Sequence, residues 1–186
     1  MLCTLFTCGL RIGEAIELRG RHVLDRSGRL HVQRAANLVT SQGFLVGLPK
    51  WGVTRQVPVQ SWLPTDLVEL EFGEDELLFP AAIGGRIRPR NFGCRTFTDT
   101  LQKPTAAAAA KGDSGVAAPL RMVLRDTRHT VASWAIFARA NPKTDQCMSG
   151  HKTAAMTLDT YAGLFDQDLV SVVTRMAAYA PRPGAS

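Results

Sequence analysis

Arg11, Lys50, Arg125, Arg128 and His151 are spread along the chain, and Tyr161 follows them. Their local texts are G-L-R-I-G-E-A, L-P-K-W-G-V-T-R, L-R-D-T-R-H-T, S-G-H-K and T-L-D-T-Y-A. Several fixed cationic donors and one phenol are what phosphodiester chemistry without a metal requires. Cleavage by a side chain needs a nucleophile, charge stabilisation on the non-bridging oxygens and a proton for the leaving oxygen. Tyrosine can be a covalent nucleophile. Its phenol has an ordinary pKa near ~10, so neighbouring cations or a base must help it ionise. The arginine fork donates two hydrogen bonds to phosphate and keeps its charge, and a desolvated lysine can deliver a proton. Each residue also has an ordinary reading: a surface arginine, a solvated lysine, a histidine at a helix end, a half-buried tyrosine. Tyr179, the other tyrosine, sits near the end without such context.

These residues must be positioned by a mainly helical chain. Residues 1–10 read as an apolar helix interrupted by Gly9, and Ile12 to Leu18 as a second helix with Ile12, Ala15, Ile16 and Leu18 as its apolar residues. Residues 25–28 form a turn. Strands are expected over 30–33, 44–48 and 55–59, in one small antiparallel sheet, with Lys50 in the hairpin connection between the last two. Residues 64–71 suit a short helix. The acidic stretch 69–76 is a poor DNA surface. Residues 84–103 carry Arg86, Arg88, Arg90, Arg95 and Lys103 against Asp99 alone, which fits either phosphate contact or a solvated helix face. Residues 105–118, with five consecutive alanines, read as a loop. Asp126 can cap a helix running to about Ala140, with Val131, Trp134, Ala135 and Ala138 on its apolar face. Asn141 and Pro142 open the next helix, which stops at Gly150. Further helices are expected over 157–165 and 168–178, then a tail.

Composition is that of an ordinary globular chain, 45% hydrophobic and 20% charged. The formal net charge is +6, which suits an anionic partner. No two of Cys3, Cys8, Cys94 and Cys147 have C-x-x-C spacing, and no Cys/His cluster has metal spacing. They read as reduced, mostly structural thiols of a cytoplasmic protein. No metal or other cofactor is expected. The apolar start is too short for a membrane span and lacks the basic stretch of a signal peptide.

The ordered set resembles the tyrosine recombinases of the phage integrase family. C-G-L-R11-I-G-E14 matches that family's arginine segment. Lys50 followed by R55-Q-V-P58 matches its hairpin lysine and R-x-V-P. R125-D-T-R128-H-T matches its second arginine box, and G150-H151 with T157-L-D-T-Y161 matches its histidine and tyrosine segments. The resemblance runs to about Leu169 and favours a recombinase over the type IB topoisomerases, which share the chemistry. It implies an α+β, mainly α, integrase-type catalytic domain over 1–180, with a small three-stranded antiparallel sheet near the N-terminus and a tail over 181–186. It implies that Arg11 and Arg128 clamp the scissile phosphate, Lys50 protonates the departing 5′ oxygen, His151 donates to a phosphate oxygen, and Tyr161 forms a 3′-phosphotyrosyl link. The partners implied are double-stranded DNA and other recombinase protomers.

Two departures qualify this. The family usually has His, sometimes Lys, where this chain has Arg125, and a guanidinium cannot accept the tyrosine proton. Thus DNA binding is expected to survive while cleavage is slowed or lost. The separate DNA-gripping N-terminal domain of the family is absent from these 186 residues, and the first helix looks clipped. A lone catalytic domain neutralises fewer phosphates and should hold DNA more weakly. The alternative reading is therefore a catalytically impaired DNA-binding remnant of a prophage or mobile-element integrase.

Overall fold

A computed structural model describes residues 1–24, 28–60, 63, 72–103, 122–138, 140–150 and 153. The helices expected over 64–71, 157–165 and 168–178, the 105–118 loop and the tail lie outside the described residues.

Helix α1 (Leu2–Cys8) buries Thr4, Leu5 and Cys8 and ends at Gly9. Helix α2 (Ile12–Ala15) is a single turn, shorter than the expected run to Leu18. The chain leaves the helix because its next residues pair elsewhere. Leu78 N donates to Leu18 O at 2.9 Å, and Arg19 bridges Leu77.

The strands are β1 (Val23–Leu24), β2 (Arg29–Val32), β3 (Ala35–Val39), β4 (Gly43–Gly47) and β5 (Arg55–Pro58). The single expected sheet is corrected to two antiparallel sheets. One has the order β1-β2-β5, with Val32 opposite Arg55; the other is a β3-β4 hairpin, with Ala35 opposite Gly47. Strand β3 was hidden by Ala35, Ala36 and Asn37, which have poor strand propensity. It takes β4 as its partner through a tight turn. The Lys50 segment therefore crosses between sheets and does not close a hairpin.

The helix opened by α3 (Pro89–Asn91) passes through a π-helical stretch at Phe92–Phe97 and runs on to residue 103. Thr98 Oγ1 donates to Gly93 O, five residues back, at 2.9 Å. Phe92 and Phe97 point into a core built from Leu5, Leu10, Leu30 and Val57, and Phe6 stacks near Phe97 at 6.2 Å.

Helix α4 (Leu124–Phe137) starts after Val123, not at Asp126. Asp126 is the third helical residue, and its Oδ2 accepts from Val123 N at 2.8 Å, so it satisfies one of the free donors from inside the helix. The buried face holds Val131, Ala132 and Ile136, whereas Trp134 and Ala138 are exposed. Helix α5 (Pro142–Ser149) follows the expected caps. Asn141 Oδ1 accepts from Thr144 N at 2.8 Å, and Gly150 ends the helix at φ 60°. Of the cysteines only Cys8 is buried. Burial pushes its thiol up to about 11, against a small opposing hydrogen bond with Thr7.

Candidate active site

Arg11 precedes α2, and Glu14 occupies the third helical position. Glu14 Oε2 accepts from Arg11 N at 2.9 Å, and its Oε1 accepts from Arg11 Nη1 at 3.0 Å. The backbone bond caps the turn, and the side-chain bond aims the guanidinium. Gly13 between them is needed for packing: a Cβ there would stand 2.8 Å from Ala36 O on β3. The far arm of Arg11 reaches across the fold, with Nη2 donating to Gly150 O at 3.1 Å.

Glu14 is also gripped from β5. Arg55 Nη1 and Nη2 donate to its two oxygens at 3.0 and 2.7 Å, and Arg55 Nε donates to Met148 O at 3.0 Å. Burial alone would raise the Glu14 pKa. The bonds and charges of Arg55 and Arg11 outweigh it and hold the carboxyl below its ordinary value.

Arg128 lies on the face of α4 that meets α1. Its Nη1 donates to Gly9 O at 3.0 Å, and the residue is only 8% exposed. That burial excludes an ordinary solvated surface charge. Arg11 and Arg128 thus meet the same short link: Arg128 grips its start at Gly9, and Arg11 is its end. Helix α5 packs on α4 and on β5, which brings Gly150, the neighbour of His151 in sequence, to Arg11. His151 and Tyr161 themselves lie outside the described residues.

The other candidate residues are placed differently. Lys50 is exposed in a one-turn 3-10 helix, with Nζ 5.2 Å from the centre of the Trp51 ring. Arg125, one turn before Arg128, is exposed and lines a cleft of ≈ 660 Å³ with Arg90 and Cys94. Arg88, Arg90 and Arg95 are exposed, and Arg88 and Arg95 line a second cleft of ≈ 560 Å³. Arg86 also borders that second cleft, but its Nε donates to Glu17 Oε2 at 2.6 Å. Glu17 is fully buried and also accepts from Arg19 Nε at 3.1 Å. Burial pushes its pKa up, and Arg86 and Arg19 more than reverse that. Arg86 is therefore tied into the fold, unlike its three exposed neighbours.

The family model described as the phage integrase family matches residues 1–168. This chain belongs to the phage integrase family. No curated protein matches it in sequence. Its fold is the integrase catalytic-domain fold. A structure of the Tn1549 transposon integrase in complex with circular intermediate DNA superposes with TM-score 0.69 at 21% identity, covering 85% of this chain and 52% of that one. The XerA recombinase superposes with TM-score 0.54 at 16% identity, covering 97% of this chain and 56% of that one. The catalytic domain of bacteriophage HP1 integrase superposes with TM-score 0.51 at 19% identity, covering 97% of this chain and 83% of that one. This integrase-family chain spans about half the length of the Tn1549 integrase chain.

Sequence reading gave no role to Glu14, Arg55 or Glu17 in this integrase-family fold. The first two stood in quoted motifs, as the Glu of G-L-R-I-G-E and the Arg of R-Q-V-P. The signal available was an unpaired count: each motif brought one more charge than the phosphate chemistry used. Glu17 had no such signal: Arg19 is two residues on, but Arg86 comes from a distant segment.

Proposed function

We propose that this chain is the catalytic domain of a site-specific DNA recombinase that acts through a 3′-phosphotyrosyl intermediate. The observation that carries this reading is that the Arg128 guanidinium is held on Gly9 O, two residues before Arg11, whose own guanidinium is held by Glu14 and by the carbonyl of Gly150, the residue that precedes His151. Two guanidiniums fixed on one link suit two non-bridging oxygens of one phosphate. In the proposed step the Tyr161 Oη bonds to phosphorus while the bond from phosphorus to the 5′ oxygen breaks. The phenolic proton leaves to solvent as the neighbouring cations lower its pKa, Lys50 gives its own proton to the departing oxygen, and His151 donates to a non-bridging oxygen. A 5′ hydroxyl of another strand then attacks the phosphotyrosine, reseals the backbone and frees the phenol. Bond energy is conserved, so neither a nucleotide cofactor nor a metal is drawn on. Double-stranded DNA and further recombinase protomers are the proposed partners, in keeping with the DNA-bound Tn1549 integrase and the XerH recombinase bound to its difH substrate. Lys50 lies over the Trp51 ring on an exposed turn, and loop rearrangement on substrate binding is a common device.

Arg125 favours a second reading, in which the domain binds DNA and cleaves it poorly. A guanidinium there can stabilise a tyrosinate but cannot take its proton. A nicked suicide duplex, selected from random sequence by covalent capture, separates the two readings. Under the first, the wild-type adduct forms in the presence of chelators, and Tyr161→Phe abolishes it while retaining DNA binding. Arg125→His raises the adduct yield, because general-base assistance is worth ~10²–10⁴-fold. Capture in neither the wild type nor Arg125→His would leave the binding reading alone standing.

A further inference from the structure

We infer that Arg55 is a positioning residue of the phosphate site, which sets the direction of Arg11 and the place of the chain just before His151. The inference rests on the recombinase reading. Its basis is a closed ring of contacts. Arg55 holds both oxygens of Glu14, Glu14 Oε1 also holds Arg11 Nη1, and Arg11 Nη2 holds Gly150 O. From Gly150 the chain leads back through Ser149 to Met148, whose carbonyl accepts from Arg55 Nε. Three separate segments, β5, the start of α2 and the end of α5, are thereby fixed through one guanidinium.

Charge and exposure divide the labour between the two arginines. They share one carboxylate, so the cluster keeps one excess positive charge. The Arg55 side chain is 6% exposed and that of Arg11 is 25% exposed. An anion can therefore reach Arg11 and not Arg55. Gly150 is shaped to the same end: a Cβ on it would stand 2.9 Å from Arg55 Nη1, so the glycine before His151 is required by the plane of Arg55 as well as by its own positive φ. Lysine could not replace Arg55, because a point charge cannot serve a carboxylate bidentately and a carbonyl at once.

The test is single-turnover adduct formation by the full chain on the captured suicide duplex, with either a phosphate or a neutral methylphosphonate at the scissile position. Arg55→Lys is expected to leave DNA affinity within about threefold of wild type and to slow cleavage of the phosphate on the order of 10²-fold, the usual effect of misplacing a group by about 1 Å. On methylphosphonate, where less charge develops for Arg11 to stabilise, the defect should shrink to within about threefold. A merely structural pair would give equal defects on both substrates, and that result would overturn the inference. If Arg55→Lys does not fold, Glu14→Gln combined with Arg55→Met removes both buried charges together, a change that folds often tolerate. That double variant should fold, bind DNA and show the same phosphate-specific defect. Cleavage at the wild-type rate by either folded variant would overturn the inference and leave the recombinase reading intact. A wild-type chain that captured no duplex would instead overturn the cleavage reading, and the inference with it.

Discussion

Glu14, Glu17 and His22 are buried titratable groups, and they respond to acid in the same sense. Both carboxyls are held below their ordinary pKa, because burial is outweighed by their arginine partners. Burial, aided by Arg21, lowers the His22 pKa, and its Nδ1 accepts from Arg19 N at 3.1 Å, as a neutral imidazole does. A depressed carboxyl stabilises the fold above its unfolded pKa, about 4.3, and loses that contribution as pH falls through the folded value. A histidine buried neutral begins to oppose folding once pH drops below its unfolded value, about 6.5. The melting temperature should therefore decline gently below about pH 6.5 and steeply below about pH 4.3. Glu14→Gln should flatten the lower limb in thermal melts across that range, and an unchanged limb would show that the carboxyl is not perturbed. The basic stretch shows where residue types mislead. Arg86, Arg88 and Arg90 look equivalent in sequence, yet Arg86 is neutralised by Glu17, sixty-nine positions away. Nothing local marks that pairing.

At the scale of elements, the two ends of α5 were the most legible feature. Asn141 followed by Pro142, and Gly150 after Ser149, are start and stop signals whose chemistry acts within four residues. Asn141→Ala removes the acceptor for Thr144 N and should cost about 1 kcal/mol, read from denaturant midpoints. No shift would mean that the backbone donor finds water equally well. The β-sheets were less legible because pairing is not local. The alternation that marked residues 44–48 as a strand said nothing about its partner. Strand β3 opens on Ala35, Ala36 and Asn37, which carry little strand signal. Helix α2 was overextended because the apolar spacing of Ile16 and Leu18 fits a helix, while the bond between Leu78 and Leu18 that ends it comes from sixty residues away. The family was legible all the same in the order of its short motifs, and the family model matches residues 1–168.

At the scale of the whole molecule, the arginines of the candidate site and of the basic stretch fall into two sets. Arg11, Arg55, Arg86 and Arg128 are bound into the interior by carboxylates or carbonyls. Arg88, Arg90, Arg95 and Arg125 face solvent around two clefts. The first set is fixed in direction by the fold, and the second is the set expected to meet long DNA. Duplex affinity should fall steeply with salt. Replacing Arg88, Arg90 and Arg95 together by Gln should weaken binding without changing sequence preference, and should lower the log–log salt slope by ~0.9 for each phosphate that is no longer neutralised. An unaltered slope would make that stretch a solvated face. No helix among the described residues is long and apolar enough to cross a membrane.

A covalent bond between Tyr161 and DNA is the centre of the recombinase reading. The direct measurement is peptide mapping by mass spectrometry of the adduct captured on a nicked duplex, after nuclease digestion. The expected result is a nucleotide 3′-phosphate on the peptide carrying Tyr161, with Tyr179 unmodified. A phosphate carried by any other residue, or a nicked duplex turned over with no covalent species, would contradict it.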